Sequence, residues 1–200
     1  MKLRSTLIIL LVVPLASCFM AQKSALVKSN VVYDATSQAR IRLYGPYGDK
    51  LIKHYNDRTC KEWRDTAGSV IHHRFNNGAP RKIKNISIGI PATERSLMAL
   101  NDTGVMFRDS FKEYVIEANK PMVLDASSSV VMDSYSKSCR IAVSFIPQAG
   151  KDYEAAYIEQ NRTCTIRIYE ITHQITEKNL VSIQGVDQVE NCSRLSDSSI

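Results

Sequence analysis

Four histidines, His54, His72, His73 and His173, are the side chains best suited to moving protons or holding a metal near neutral pH. Their spacing organises neither chemistry. His72 and His73 are adjacent, so on a strand they face opposite ways. Neither opens the His-Glu-x-x-His pattern that sets two ligands on one helical face. No serine sits in a Gly-x-Ser-x-Gly elbow, and Ser127, Ser128 and Ser129 belong to a serine-rich run. Gly45-Pro46-Tyr47-Gly48-Asp49 has two glycines but lacks the strand, loop and helix setting that cradles phosphate. Asp102, Asp109, Glu113 and Glu117 could be paired by folding, yet their order sets no separation suited to glycoside hydrolysis. The sequence therefore points to no catalytic residue, metal ligand or cofactor.

Cysteine is the remaining reactive type, and Cys18 stands apart from the other four. The chain opens Met1-Lys2-Leu3-Arg4 and is then apolar from Leu7 to Val13, with Pro14 ending the run. That run is too short to cross ~30 Å of hydrocarbon. A basic start followed by a short apolar stretch is the layout of an export signal. Leu15-Ala16-Ser17-Cys18 then resembles the lipobox of bacterial lipoproteins. The resemblance implies removal of residues 1–17, a diacylglycerol on the Cys18 thiol, and a further acyl chain such as palmitate on the new amine. Several chains anchor stably, because each buried methylene contributes about 0.8 kcal/mol and one chain alone holds only marginally. In such families an aspartate after the cysteine commonly retains the protein in the inner membrane. Phe19 occupies that position here, which implies the periplasmic face of the outer membrane.

Export to an oxidising compartment gives Cys60, Cys139, Cys164 and Cys192 a different role. They contain no Cys-x-x-Cys pair, and their wide spacing suits disulfides better than a compact zinc site. Four cysteines allow three pairings, of which Cys139–Cys164 with Cys60–Cys192 is favoured. Cys139, Ile141, Val143 and Phe145 alternate with Arg140, Ala142 and Ser144, and Cys164, Ile166 and Ile168 share a face further on. Both cysteines then point to the apolar side. A simple meander opposes this pairing, because its first and third strands stand about 9.6 Å apart, at ~4.8 Å per spacing. A disulfide needs Cα atoms within about 7 Å. The favoured pairing thus requires the two strands to diverge or to lie in different sheets. Cys60–Cys192 would pin the polar 56–82 stretch to the end of the chain.

The elements that must position these residues read as short strands. Ala39 to Tyr44 alternates with period two, Leu51 to Tyr55 can return after the 45–49 turn, and Ile83 to Ile90 alternates until Pro91. Thr93 to Leu100 is either a short helix or a surface turn. Strands follow at Lys112–Ala118, Met122–Asp125, Cys139–Phe145, Tyr153–Ile158 and Cys164–Tyr169, with Ser127 to Ser138 as a loop. Little helix and many short alternations predict an all-β fold. Two packed antiparallel sheets in a sandwich are expected, with a partly closed barrel as the alternative. The domain is expected to span 38–192, after a lipidated tether at 18–37 and before a short tail at 193–200.

Charge suggests the partner class. The total is +6, of which Lys2 and Arg4 supply two, so a chain beginning at Cys18 carries +4. Arg40, Arg42, Arg140 and Arg167 fall on the polar faces of expected strands. If those strands were neighbours, they would form a basic stripe suited to phosphate or carboxylate. Tyr153 and Tyr157 could add amphipathic contact area. The stretches SFIPQAGKDYEAAY and RTCTIRIYEI resemble segments of small proteobacterial lipoproteins, which implies an exported β domain and brings no catalytic residue. The expected function is a lipid-anchored binding or scaffold protein of the cell envelope. Its partner would be an envelope protein or an anionic envelope polymer, and not nucleic acid. The alternative is an envelope hydrolase whose site is assembled from distant residues.

Overall fold

The computed structural model describes residues 25–46, 52–67, 84–102, 109–132, 135–160, 163–175 and 180–192. The 1–17 leader, Cys18, His72, His73 and the 193–200 tail lie outside the described residues. Among the described residues the fold is an all-β sandwich of two open sheets, with two short helices. One sheet has seven strands. Its order is β1 (Ala25–Lys28), β4 (Lys84–Ser87), β5 (Asp109–Glu117), β2 (Gln38–Pro46), β8 (Asp152–Gln160), β9 (Thr163–Ile175) and β10 (Val181–Gly185). The other has four, in the order β11 (Glu190–Asn191), β7 (Tyr135–Phe145), β6 (Met122–Met132) and β3 (Ile52–Asn56). Pairing is antiparallel throughout the smaller sheet, whereas the larger is mixed, with parallel ladders at β1–β4, β4–β5 and β2–β8. Among the described residues no helix is long and apolar enough to cross a membrane.

Alternation decides what lies between the sheets. Ala39, Ile41, Leu43, Ile116, Tyr153, Ala155, Ile166 and Ile168 from the larger sheet meet Met122, Leu124, Ala126, Ile141, Val143 and Phe145 from the smaller. Cys139 on β7 and Cys164 on β9 face inward from opposite sheets and are joined, with Cα atoms 6.2 Å apart. This is the geometry that the favoured pairing demanded, since the two strands do not share a sheet. Beside the bridge, Ser128 Oγ and the Tyr157 hydroxyl both donate to Glu159 Oε2, at 2.8 and 3.2 Å. That end of the sandwich is closed.

Each sheet also buries its outer face under a helix. α1 (Cys60–Ala67) covers the smaller sheet, packing Cys60 and Trp63 against Val123 and Ala142. Cys60 is joined to Cys192, Cα to Cα 4.9 Å, so the expected clip does tie the polar 56–82 region to the end of the domain. α2 (Glu94–Asn101) covers the larger sheet, packing Ala99 and Leu100 against Tyr44, Phe111 and Ala156. Thr93 caps it: the Thr93 hydroxyl accepts from the Ser96 N–H at 3.2 Å, and Ser96 Oγ accepts from the Thr93 N–H at 2.9 Å. Between two expected readings of this stretch, the reciprocal cap decides for helix.

Four boundaries differ from the sequence expectation. The tether expected over 18–37 already contains β1, because the parallel ladder to β4 satisfies its backbone although none of its side chains is fully buried. The polar 56–82 stretch contains α1, held by its disulfide and Trp63 rather than by a long apolar stripe. The serine-rich 127–138 loop is instead the far half of β6 and the start of β7, paired in register from Ser127↔Arg140 to Met132↔Tyr135. Small hydroxyls there fit a buried strand, and Ser127 and Ser128 are both buried. The strand expected to run to Ile90 stops at Ser87, where Gly89 turns the chain at φ +100°.

Candidate functional site

The basic stripe is not formed, and the reason is visible strand by strand. Arg40 and Arg42 are two residues apart on β2, so they share the outer face of the larger sheet. Register then sets Asp152 beside Arg40, and both Glu113 and Glu154 beside Arg42. Arg40 grips Asp152 with two bonds of 2.7 Å and lies 4.8 Å from the Tyr33 ring centre. Arg42 is only 1% exposed. Its Nε and Nη2 donate to Glu113 Oε1 at 3.0 and 2.8 Å, and Nη2 also donates to the Ile90 and Pro91 carbonyls, each at 2.9 Å. Glu113 Oε2 accepts from Ser87 Oγ and from the N–H groups of Ile88 and Ile90, at 2.9, 2.7 and 3.2 Å. That carboxylate is what ends β4, by taking the N–H groups that a longer strand would have offered to a neighbour.

Glu154 completes the cluster. Its Oε2 accepts from Thr93 Oγ1 at 2.8 Å and from the Tyr44 hydroxyl at 3.0 Å, with Arg42 Nη1 at 3.5 Å. Burial, reinforced by the Glu154 charge, pushes the Tyr44 phenol well above its ordinary value, so it stays a donor. The Arg95 guanidinium lies 4.6 Å from the Tyr44 ring centre and pairs with Asp109 at 2.9 Å. One arginine and two glutamates thus bind the 87–93 segment and the cap of α2 to the sheet. The cluster is sealed, with its donors and acceptors turned on one another. Its chemistry is that of a structural lock.

Arg140 stands on the other sheet. It grips Asp125, a residue 0% exposed, at 3.0 and 2.7 Å, and its guanidinium lies 5.1 Å from the Trp63 ring centre. The Asp125 bond holds its charged form and raises its pKa. Arg167 projects from β9, is exposed, and makes no ion pair among the described residues. Of the four arginines expected as a stripe, Arg40, Arg42 and Arg167 share the outer face of the larger sheet, but β8 separates Arg167 from β2, and Arg40 and Arg42 are neutralised by carboxylates. Tyr153 is 2% exposed and belongs to the core, its hydroxyl accepting from the Gln148 N–H at 3.0 Å. Tyr157 serves the closed end described above. The His54 ring lies 4.5 Å from that of Tyr114, tilted by 54°, and burial, then Lys112, lowers its pKa.

The open feature is at the other end of the sandwich. There the chain leaves β10 and crosses to β11, moving from the larger sheet to the smaller. Val186 donates its N–H to Ile168 O at 3.1 Å on one side, and Cys192 donates to Ala142 O at 2.9 Å on the other. The crossing segment walls a groove of about 710 Å3. Phe145, Tyr153, Val186 and Val189 form its apolar floor, and Ile146, Gln148, Glu170, Gln184, Asp187 and Glu190 reach its rim. Ile146 is 61% exposed, although most of its neighbours on β7 are buried. Glu170 is engaged by Lys151 at 2.7 Å. Because Cys192 follows directly on β11, the Cys60–Cys192 bridge fixes this wall as well as α1. The sequence gives little sign of it: β10 and β11 are short, and their residues are mostly polar. Among the described residues, no group of three or more histidine, cysteine or acidic side chains is placed to hold a metal.

No family model, curated protein or solved structure matches this chain. The arrangement supports ligand or partner contact at the groove and structural work at the charged clusters.

Proposed function

We propose that this chain is a lipid-anchored binding or scaffold protein of the bacterial outer membrane, held through Cys18 on the periplasmic face and engaging an envelope protein at the end of its sandwich. The observation that carries the binding role is the groove: an apolar floor under a polar rim, with its wall clamped by a disulfide, is pre-organised for contact. Beyond Glu170, which Lys151 already pairs, the rim supplies Asp187 and Glu190, so its charge favours a protein over an anionic polymer. The lipid anchor rests on Leu15-Ala16-Ser17-Cys18.

Two measurements test the two halves. Intact mass of the detergent-extracted protein should show acyl chains on a polypeptide beginning at Cys18, and an unmodified mature chain removes the anchor. A photoreactive amino acid at Ile146 should capture one discrete envelope protein at native expression, whereas the same group at Met98 on α2 should not. Equal capture from both positions rejects the groove as the contact. Hydrolysis of an envelope polymer by the purified protein, abolished by Asp187→Asn, would support the hydrolase reading instead.

A further inference from the structure

Exposed large apolar side chains are unevenly spread over the described surface. Leu26 (44%), Val27 (39%), Val31 (47%) and Val32 (95%) fall within one run of seven residues, while Ile175 and Ile183 make a smaller pair on β9 and β10 and Met98 and Ile146 stand apart. That run is β1 and the segment just after it. β1 is the outermost strand of the larger sheet, paired only to β4, and the Ser29 N–H continues the contact to Ser87 O at 2.8 Å. Leu26 and Val27 therefore lie on that edge strand, and Val31 and Val32 follow it in the segment that carries the chain from the edge to Tyr33, whose ring lies against Arg40 on β2. Such an edge is ordinarily blunted by charge or covered.

The chain's own length says what covers it. From Cys18 to Ala25 is seven residues, which reach at most about 25 Å when fully extended. A domain on so short a leash stays within reach of the surface that holds its lipid. Lys28 is exposed on the same edge, and Lys84 stands opposite Ala25 in the β1–β4 register, so two cationic positions accompany the apolar ones. Apolar side chains beside lysine suit the boundary between acyl chains and anionic headgroups. We propose that β1 and the segment that follows it, residues 25–32, lie on the phospholipid surface into which Cys18 is anchored, so that the sheet stands on its first strand. This rests on the lipoprotein reading and adds an orientation to it. The opposite edge, β10, is six strand spacings away, about 29 Å from the surface at ~4.8 Å each.

Tryptophan quenching in vesicles tests this. The full lipidated protein is reconstituted into phosphatidylethanolamine–phosphatidylglycerol vesicles containing lipids brominated near the headgroup end of the acyl chain. Val32→Trp is compared with Ile183→Trp on the β10 edge, and buried Trp63 gives the common background. Val32→Trp should lose at least about half of its added emission, and Ile183→Trp almost none. In a second arm, trypsin cleavage after Lys28 should be slowed at least about fivefold in vesicles, and Val31→Ser with Val32→Ser should remove that protection. If both tryptophans stay unquenched while the protein floats with the vesicles, the edge proposal is overturned and the lipid anchor stands. Failure to float overturns both. Cross-linking of Val32 to Val32 between copies, without quenching, assigns the edge to a second copy of this chain and rejects the lipid surface.

Discussion

The two outer faces of the sandwich solve one problem in different ways. Each carries an arginine–carboxylate cluster on its strands and a short helix laid over it. On the larger sheet α2 is held by polar groups: Arg42, Glu113, Glu154, Tyr44 and Thr93 bond strand, loop and cap together. On the smaller sheet Arg140 and Asp125 pair with each other, and α1 is held by a disulfide and by Trp63. A charge network needs every member in place, because a lone buried charge is costly. A disulfide acts chiefly by limiting the unfolded chain and tolerates a thin interface. The difference shows that a charged strand residue need not face water and that a polar helix can be tied down with little apolar surface.

Breaking the network should have the largest effect. Arg42→Met leaves Glu113 and Glu154 buried without their cation, and urea unfolding should lose about 3–5 kcal/mol. The triple change Arg42→Met, Glu113→Gln and Glu154→Gln should recover part of that loss. If the single change is neutral, the network is not what holds α2.

Breaking the covalent hold should cost less and act elsewhere. Cys60→Ser with Cys192→Ser should lower stability by about 2–4 kcal/mol. Trp63 is the only tryptophan, so its emission reports on α1 alone. It should move to the red in this variant, as α1 loosens, and remain unchanged in Cys139→Ser with Cys164→Ser.

The smallest effect sharpens the contrast through pH. The Tyr44 phenol is raised in the folded protein, so the stability it contributes is complete below the unfolded value near 10 and is lost as pH rises above it. Tyr44→Phe should cost about 1 kcal/mol at neutral pH through the lost bond to Glu154. It should also flatten the decline in urea midpoint above pH ~10.

Much of the frame was legible from alternation. Residues 39–44, 139–145 and 164–169 read correctly as strands because one side of each meets the apolar core, and that side repeats every second residue. The facing of Cys139 and Cys164 followed from the same period, and so did the condition that their strands occupy different sheets. The charged positions were not legible in this way. Arg42 alternates with Ile41 and Leu43 whether its face is wet or covered, and its cover comes from residues 88–101, more than forty positions later. The edge strand β1 was missed because its hydrogen bonds come from β4 and none of its side chains joins the core. The groove was missed because it is made by a chain crossing, which leaves no periodic mark.

What the sequence determined by itself is whatever depends on neighbours along the chain: the alternating strand faces and, through them, the inward facing of Cys139 and Cys164. What only the tertiary structure decided is which polar residues are spent on one another. Hydrogen bonds and ion pairs are short-range and directional, so Arg42 finds Glu113 and Glu154, 71 and 112 positions away, only when three strands come into register under α2.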